Sequence, residues 1–328
     1  MTSIGVYFSA NNTVYDWTIA FLNSFRTFNP DLRLILIPFN SECDRLLKLK
    51  DIYNFEVYND LSFERLEAIG QSLELGHTPT GPYWFRRYAA FWGPCDHFAY
   101  LDARQLILCK LEPIIHALEI YNFELLHFDC AIDQVYESGK LRRELLKNGR
   151  ARGFNSGRWA ARKGLFTLEE LESFGRSALD VRESLNSRNT DQAFINYCCD
   201  LKPVRYGHVG EVLGGICHTS WARTTGKIYK EDGKYYLWDY GGLHHKNQFL
   251  LLHWAGYSLN SLMPNYFLFL RFLLRDRSFL FQVYVYCVSN LRDFLNIRLF
   301  LVLRKNRRIS KIYHKYYRRD QKDTPIHN

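Results

Sequence analysis

Short apolar runs alternate with segments of helical periodicity along the first part of the chain. β-rich runs occur at Ser3–Phe8 and Leu32–Pro38, and Asp16–Phe28 between them spaces its apolar residues as one helix face. Further strands are predicted at Phe55–Tyr58 and Leu125–Asp129. Strands that alternate with helices favour a mostly parallel sheet covered by helices on both faces, so the predicted fold class is α/β.

The second half combines helices, a hairpin and a last strand. Asp232–Gly233 lies between two β-rich runs in Lys227–Trp238 and supplies the positive φ angles of a tight hairpin turn. Phe249–Trp254 is the last predicted strand. Over the whole chain, helices are also predicted at Asp44–Lys50, Leu61–Leu75, Tyr83–Phe91, Ser138–Lys147, Leu168–Phe174 and Asp191–Asp200.

The apolar stretch Tyr100–Leu108 is interrupted by a carboxylate, Asp102, and two positions later by Arg104. A buried strand that ends in an acidic residue delivers a carboxylate to the edge of a sheet, where α/β proteins bind ligands. The alternative is an aspartate that only caps the turn after the strand.

Three further candidate sites lie at the ends of predicted elements: two short segments and one histidine. Gly157 in Phe154–Gly157 allows close approach to a ligand, or only bounds a turn. The quartet Asn189–Gln192 opens an apolar helix, so Asn189 or Thr190 is a candidate N-cap. His253 ends an apolar strand and is either a ligand or a buried structural histidine.

Composition and charge divide the chain. A hydrophobic content of 47% with 16% aromatic residues indicates a folded protein. The net charge is +9, but from Pro264 onward fourteen Lys and Arg stand against four Asp, a net +10 that leaves −1 for the first 263 residues. We therefore predict a domain at residues 1–263 and a basic, aromatic segment at residues 264–328.

The basic segment interleaves arginines with large apolar residues. Its longest charge-free run, Ser278–Asn290, is too short to span a bilayer as a helix. Together with the cluster at Arg304–Arg319, it favours an anionic membrane surface as partner. Three alternatives stay open: packing on the core or in a dimer, a disordered solubilising tail and, least favoured, nucleic-acid binding.

Cysteine usage and the first residues bear on compartment. The eight cysteines form no CxxC pair and no cluster at zinc spacing, which is typical of reduced thiols in the cytoplasm. The first ten residues lack the features of a secretory signal. We expect a cytoplasmic protein, attached peripherally to the inner membrane face.

Four elements, in this order, resemble the glycogenin-like family eight of the GT-A nucleotide-diphospho-sugar transferases. They are Tyr83–Arg104, Gly153–Gly157, Asn189–Asn196 and Leu252–Gly256. The resemblance covers about Ser3 to Gly256. It implies a GT-A fold and a glycosyltransferase that moves a sugar from a UDP or GDP donor to a glycan or lipid-linked acceptor. It also implies a retaining reaction in surface-polysaccharide assembly.

The resemblance assigns roles to individual residues. Donor binding falls to Arg86 (favoured over Arg87), Asp102, Arg104, Ser156, Gly157 and Gly256. Asn155, Asp191 and Gln192 are implied at the reacting sugar, and Asp102 and His253 at a Mn²⁺ or Mg²⁺ ion.

The sequence departs from the family at two positions. Arg104 stands where the family's metal motif has its second acid, and Leu259 stands where a lysine is expected. Because a guanidinium cannot ligate a cation, two interpretations stay open. Either Asp102 and His253 hold the metal with water, or Arg104 itself supplies positive charge against the diphosphate.

Three hypotheses follow. The first is a transferase whose retaining reaction needs no protein base, with Asp129 as the least unsuitable candidate for an inverting one. The second is a catalytically silent relative that binds nucleotide sugars or acts as a scaffold. The third, a nucleic-acid-binding protein, predicts salt-dependent binding to any oligonucleotide.

Overall fold

The computed structural model describes residues 2–75, 81–129, 131–150, 152–219, 226–239 and 247–305. The chain forms two compact units. The first contains Met1–His218 and Thr225–His253, and the second contains Thr219–Thr224 and Trp254–Asn328. Most of the basic cluster Arg304–Arg319 lies outside the described residues.

The described strands form two sheets. They are β1 (Ile4–Ala10), β2 (Leu34–Pro38), β3 (Glu56–Val57), β4 (His97–Asp102), β5 (Gln105–Ile107), β6 (Leu125–His127), β7 (Arg158–Arg162), β8 (Tyr206–His208), β9 (Ile216–Thr219), β10 (Gly226–Glu231), β11 (Lys234–Asp239) and β12 (Asn247–His253).

The described α-helices are α1 (Tyr15–Phe28), α2 (Asp44–Leu47), α3 (Lys50–Tyr53), α4 (Phe63–Leu73), α5 (Glu112–Ile120), α6 (Lys140–Lys147), α7 (Leu168–Asp180), α8 (Gln192–Leu201), α9 (Val209–Leu213), α10 (Tyr266–Leu273) and α11 (Phe279–Lys305).

A seven-stranded sheet forms the centre of the first unit, in the order β3-β2-β1-β4-β7-β6-β8. β7 runs antiparallel to β4 and β6, and the other pairs are parallel. This largely parallel sheet confirms the predicted α/β class.

Helices cover both faces of this sheet. Successive residues of a strand point to opposite faces, so Tyr7 joins one apolar cluster while Val6 and Phe8 join another. The first cluster also receives α4, α7 and α8, and the second receives α1, α2 and α5. Burial on both faces explains why these strands are continuous apolar runs.

The helix predicted at Tyr83–Phe91 is present as a 3-10 helix that spans Gly81–Trp92. Phe85, Tyr88 and Phe91 are all fully buried, at a spacing of three residues. That spacing matches the three residues per turn of a 3-10 helix, in which every third side chain shares a face. The segment therefore packs one aromatic row into the core.

The second sheet has the order β10-β11-β12-β5, with β9 also paired to β12. The stretch Tyr100–Leu108 divides into β4 and β5, because the chain leaves the first sheet after Asp102 and β5 pairs with β12. The predicted hairpin is confirmed: Asp232 and Gly233 between β10 and β11 have φ of 49° and 80°.

The second unit contains α10 and α11, which meet through aromatic rings. Tyr266 stacks on Tyr286 at 6.1 Å between ring centroids, and Phe267 meets Tyr286 edge-on at 5.3 Å. Trp254 donates from Nε1 to the Pro264 carbonyl at 2.7 Å. Among the described helices, none is both long enough and apolar enough to cross a bilayer.

Candidate functional site

The register of the sheet gathers several predicted site residues at one edge. β1 and β4 run parallel, which places Ser9 beside Asp102 at their carboxyl ends. β7 runs antiparallel to β4 and pairs Arg158 with Leu101, so the loop before β7 reaches the same edge. The Asp102 amide donates to the Gly157 carbonyl at 2.8 Å, which joins the strand end to that loop.

Gly157 is required by this close approach. A Cβ at this position would lie 2.3 Å from Oδ2 of Asp102 and 3.0 Å from Oδ1 of Asn155. The Gly157 amide donates to that same Asn155 oxygen at 2.9 Å. Any larger residue would displace the Asp102 carboxylate.

Arg87 lies at the centre of the site and is fully buried. Its Nη2 is 3.3 Å from Oδ1 of Asp102, and its Nε is 3.4 Å from Oδ2 of Asp191. Its Nη1 donates to the Ser156 carbonyl at 2.7 Å. Burial alone would lower the pKa of Arg87, but the two carboxylates raise it above its usual value. Arg87 therefore stays charged and connects three segments of the site.

Asp191 has no exposed surface and directs its carboxylate toward Arg87. Tyr88 donates to its Oδ2 at 2.5 Å, and Ser156 donates to its Oδ1 at 3.1 Å. Burial raises the pKa of Asp191, and Arg87 with these hydroxyls opposes the rise. Because Asp191 is buried and bound to Arg87, Tyr88 and Ser156, its carboxylate holds these side chains in place.

The predicted capping role of Asn189 or Thr190 is wrong. α8 begins at Gln192, its N-cap position is Asp191, and that side chain makes no capping hydrogen bond. Thr190 instead adopts a φ of +49°, which is unusual for a β-branched residue. Strain of this kind often marks a functional site, and here it immediately precedes the inward-facing carboxylate.

Arg86 and Arg87 point to different surroundings, although they are neighbours. Nε of Arg86 lies 2.5 Å from Oε1 of Glu67, and its Nη1 donates to the Pro38 carbonyl at 3.1 Å. Arg86 therefore reaches the carboxyl end of β2, and the structure brings Arg87 rather than Arg86 to Asp102. One residue in a 3-10 helix turns the side chain by about 120°, which separates the two.

Asn155 and Gln192 form a polar pair beside Asp102. Nδ2 of Asn155 donates to Oε1 of Gln192 at 3.0 Å. The Asn155 amide donates to Oδ1 of Asp129 at 3.0 Å. Asp129 also accepts from Nη2 of Arg158 at 2.9 Å, so its carboxylate is held in an ion pair.

The loop before β7 is fixed by α8 from behind. Asn196 is buried, accepts from the Phe154 amide at 2.9 Å and donates to the Phe154 carbonyl at 2.8 Å. The segments Phe154–Gly157 and Asn189–Gln192 are therefore held together, and their polar side chains lie on one side of the site.

Arg104 and His253 lie on the second sheet's side of the site. β5 and β12 pair Gln105 with His253, and Nε2 of Gln105 donates to the Gly157 carbonyl at 2.7 Å. His253 is buried, and its Nδ1 has no hydrogen-bond partner among the described residues. Burial, followed by the charges of Arg158, Arg104 and Arg87, lowers the pKa of His253 well below its usual value. The imidazole is thus neutral at neutral pH.

Arg104 is partly buried and makes no hydrogen bond or ion pair with any described residue. Burial lowers its pKa, and the charge of Asp102 opposes that effect. Its positive charge is only partly compensated within the described chain.

A divalent cation does not fit this donor set. In the part of the chain described here, no three His, Cys, Asp or Glu side chains are grouped to hold a metal. Mn²⁺ and Mg²⁺ prefer several oxygen ligands, but Oδ1 of Asp102 already accepts from the Tyr100 hydroxyl at 3.0 Å and meets Arg87. The positive charges of Arg158, Arg104 and Arg87 act on His253 and disfavour a divalent cation beside it.

Gly256 belongs to the second unit and has a φ of +74°. This left-handed conformation favours glycine, in agreement with the residue's identity. Its predicted role in donor binding stays a prediction.

Sequence reasoning missed several residues that build the site. They are Tyr88, Tyr100, Gln105, Arg158 and Asn196, all buried. Two signals were present: Tyr88 and Tyr100 lie in the same motif as Asp102, and Asn196 closes the Asn189–Asn196 element. Gln105 and Arg158 depend on strand register, which no local pattern shows.

Solved glycosyltransferase structures share this fold. The galactosyltransferase LgtC, solved with donor and acceptor sugar analogues, is similar over 82% of this chain and 95% of its own length, at 14% identity and a TM-score of 0.51. The bifunctional glycosyltransferase WbbM is similar over 83% of this chain at 12% identity and a TM-score of 0.50, and the match spans 50% of WbbM.

A third similar structure is the glycosyltransferase GlyE of Streptococcus pneumoniae TIGR4. The match covers 88% of this chain and 64% of GlyE, at 12% identity and a TM-score of 0.46. No family model and no curated protein matches this sequence. The fold is nevertheless clear: this chain has the GT-A fold of the solved glycosyltransferases, as its four sequence elements predicted.

Proposed function

We propose that the protein is a glycosyltransferase that moves a sugar from a UDP or GDP donor to a glycan or lipid-linked acceptor. One observation carries the proposal. At the carboxyl edge of a GT-A sheet, Asp102 lies against Gly157 and next to the Asn155–Gln192 pair. Ligands of open α/β sheets bind at this edge.

Each residue has a role in this proposal. Asp102 keeps Oδ2 for a hydroxyl of the donor, because its Oδ1 is occupied by Tyr100 and Arg87. Asn155 and Gln192 offer amide groups to sugar hydroxyls. Asp191 acts as a positioning residue through Arg87 and Ser156, since its carboxylate is buried.

The reaction is proposed to retain configuration at the anomeric carbon. Asp129, the candidate for an inverting base, already accepts from Arg158 at Oδ2 and from the Asn155 amide at Oδ1, so neither carboxylate oxygen is left for an acceptor hydroxyl. In the retaining route the bond from the anomeric carbon to the diphosphate oxygen breaks. The acceptor hydroxyl then attacks from the same face and gives its proton to the departing diphosphate.

Donor hydrolysis tests the function. UDP- and GDP-sugars are incubated with the wild type, Asp102→Asn and Asp51→Asn, and free nucleoside diphosphate is measured. Asp51 is an exposed aspartate on α3 and serves as the matched control. We expect release by the wild type and by Asp51→Asn, and a loss in Asp102→Asn. No release from any donor contradicts the transferase proposal.

The catalytically silent alternative has support from Arg104, which replaces the second acid of the motif. A silent relative still binds nucleotide, so the nucleotide raises its melting temperature by mass action. Stabilisation by UDP or GDP without diphosphate release in the hydrolysis assay would favour this alternative.

The second unit is proposed to bind an anionic membrane surface at the cytoplasmic face. α11 exposes an apolar stripe, which we call the outer stripe: Leu280, Tyr284, Val288, Leu291 and Leu295, with 46–78% of each residue exposed. The opposite face of α11 carries Gln282 and Asp293 beside the aromatic Tyr286. Gln282 donates to the Leu274 carbonyl at 2.9 Å, and Asp293 accepts from the Ser261 amide at 2.9 Å.

This arrangement is partly inverted, because α11 turns Gln282 and Asp293 inward while it exposes the apolar side chains of the outer stripe. Such a stripe needs a partner, and charge indicates which one. Arg275, Arg277 and Arg292 are exposed on the same unit, and the sequence after Pro264 has a net charge of +10. A basic surface with apolar and tyrosine side chains fits anionic lipid headgroups better than a second copy of a basic chain.

Vesicle co-sedimentation tests the membrane proposal. The wild type should bind vesicles that contain phosphatidylserine and bind poorly to pure phosphatidylcholine. The double variant Leu280→Glu/Leu291→Glu should lose binding, while Leu47→Glu, at an exposed leucine of the first unit, should keep it. Unchanged vesicle binding by the double variant contradicts the proposal. So does a wild type that forms a dimer and binds no vesicles, if the double variant is a monomer.

A further inference from the structure

Arg104 stands where the family's metal motif has its second acid, and few negative groups of the protein offset its positive charge. Arg104 follows Asp102 by two residues and makes no hydrogen bond or ion pair within the described chain. Arg104 is partly buried, so the folded protein holds its guanidinium away from bulk water at an energetic cost. An anionic ligand would offset that cost.

His253 supplies a second, independent observation. It is buried, and its Nδ1 lacks a hydrogen-bond partner among the described residues. The imidazole stands in the field of Arg158, Arg104 and Arg87, which disfavours a bound cation and favours an anion. A buried polar atom without a partner costs free energy unless a ligand or water satisfies it.

We propose that Arg104, with His253, binds the donor's diphosphate directly, so that donor binding needs no divalent metal. This inference rests on the proposed function and names how the same site holds its substrate. The planar guanidinium presents paired donors that match phosphate oxygens, and the imidazole of His253 adds a further polar group. A fixed positive charge also stabilises the diphosphate as it leaves, which is the task of a metal in the family.

The other two arginines of the site are already paired with carboxylates of the protein. Arg87 is paired with Asp102 and Asp191, and Arg158 with Asp129. The guanidinium that remains for a ligand, among these three arginines, is Arg104. Gly157 meanwhile keeps the Asp102 carboxylate at the strand end, because no side chain displaces it.

Calorimetric titration with UDP and GDP tests the inference, on the full chain, with EDTA or with added Mn²⁺. We expect dissociation constants that differ by less than about twofold between the two conditions. Arg104→Met should weaken diphosphate binding by about 10- to 100-fold, the range for a charge-assisted hydrogen-bonded contact, and UMP binding by much less. Arg143→Met, at an exposed arginine of α6, is the matched control and should bind as the wild type does.

A second variant tests the same position in the opposite direction. Arg104→Asp restores the acid spacing of the metal motif beside Asp102. We expect it to lose binding in EDTA and to regain part of it with Mn²⁺. Thermal unfolding of each variant without ligand shows whether the fold is intact.

The outcomes separate this inference from the proposed function. Wild-type binding only with Mn²⁺ overturns the inference and leaves the transferase intact. Unchanged UDP and GDP binding in a folded Arg104→Met overturns the assignment to Arg104. Absence of any nucleotide binding, with and without Mn²⁺, contradicts both.

Discussion

The candidate site and helix α11 reverse the usual burial of side chains in opposite ways. The site buries charged groups: Arg87 and Asp191 are almost fully enclosed. α11 exposes leucines along the outer stripe and turns Gln282 and Asp293 inward. Both arrangements cost free energy, but the site compensates most of its charge internally, whereas the outer stripe has no covering group among the described residues.

This difference separates two kinds of functional surface. A buried ion pair fixes geometry, because removal of either partner leaves an uncompensated charge. An exposed apolar stripe adds nothing to the stability of the isolated protein, because apolar side chains stabilise a structure only when water is removed from them. For the stripe, that happens when a partner covers it. Substitutions should therefore disturb stability at the site and association at the stripe.

The largest expected effect is the loss of Arg87. Arg87→Met leaves Asp191 buried without its cation and should lower the free energy of unfolding by about 3–5 kcal/mol. Arg65→Met breaks a surface pair with Glu172 and should cost less than about 1 kcal/mol. Urea denaturation measures both. Equal effects of the two variants would show that burial of the site charges is unimportant.

Next in size is the pH dependence from His127, which ends β6 beside His208. Burial, and then the charge of His208, lowers the pKa of His127 to about 4. Because the folded pKa lies below the usual value, the unfolded chain binds more protons as the pH falls from about 6.5 to about 4. Stability from this group is therefore present near neutrality and is lost on acidification, by up to about 3 kcal/mol.

His127→Asn isolates that contribution, since an amide still donates to the Asp129 carbonyl that His127 contacts at 3.0 Å. The free energy of unfolding is measured by urea titration between about pH 7 and about pH 4.5. The wild type should lose more stability than the variant over this range. Parallel curves for the two proteins would contradict the assignment.

Gly157→Ala tests the close approach within the site. Its Cβ would overlap the Asp102 carboxylate, so we expect a loss of about 1–3 kcal/mol and weaker donor binding. Gly139→Ala is the matched control, because a Cβ there meets no atom within 4 Å and its φ of 178° is accessible to any residue. Donor binding unaffected by Gly157→Ala would separate Asp102 from the donor.

The smallest effects lie within α11 and compare its two faces directly. Asp293→Ala removes the acceptor of the Ser261 amide and should cost about 1 kcal/mol. Leu291→Gln, on the outer stripe, should change stability by less than about 0.5 kcal/mol while it weakens vesicle binding. Leu291→Gln as costly as a core substitution would mean that the stripe is buried in solution.

Periodicity predicted most of the fold because the central strands are buried on both faces and therefore stand out as apolar runs. α5 was missed, although Pro113 in its first turn and the buried Ile114, Ile115 and Leu118 are the signals of such a helix. The division of Tyr100–Leu108 into two strands was not visible, since β5 is as apolar as β4.

The four sequence elements predict which residues form the candidate site, but they predict its geometry only in part. Hydrogen bonds, and ion pairs through Arg87, connect the predicted site residues Asp102, Asn155, Ser156, Gly157, Asp191 and Gln192 in the structure. Arg86 and Arg87 lie on different faces of the 3-10 helix, and which face meets Asp102 depends on how the helix packs in the fold. The inward direction of Asp191 required the tertiary partners Arg87 and Tyr88, which no local pattern encodes.

Metal-free donor binding at this site is tested by a crystal structure with a bound UDP- or GDP-sugar, grown in a buffer that contains a chelator. We expect density for the nucleotide at the carboxyl edge of β4, with the diphosphate at hydrogen-bond distance from Arg104 and a donor hydroxyl on Asp102. A nucleotide bound elsewhere, or a diphosphate that leaves Arg104 without contact, would contradict it.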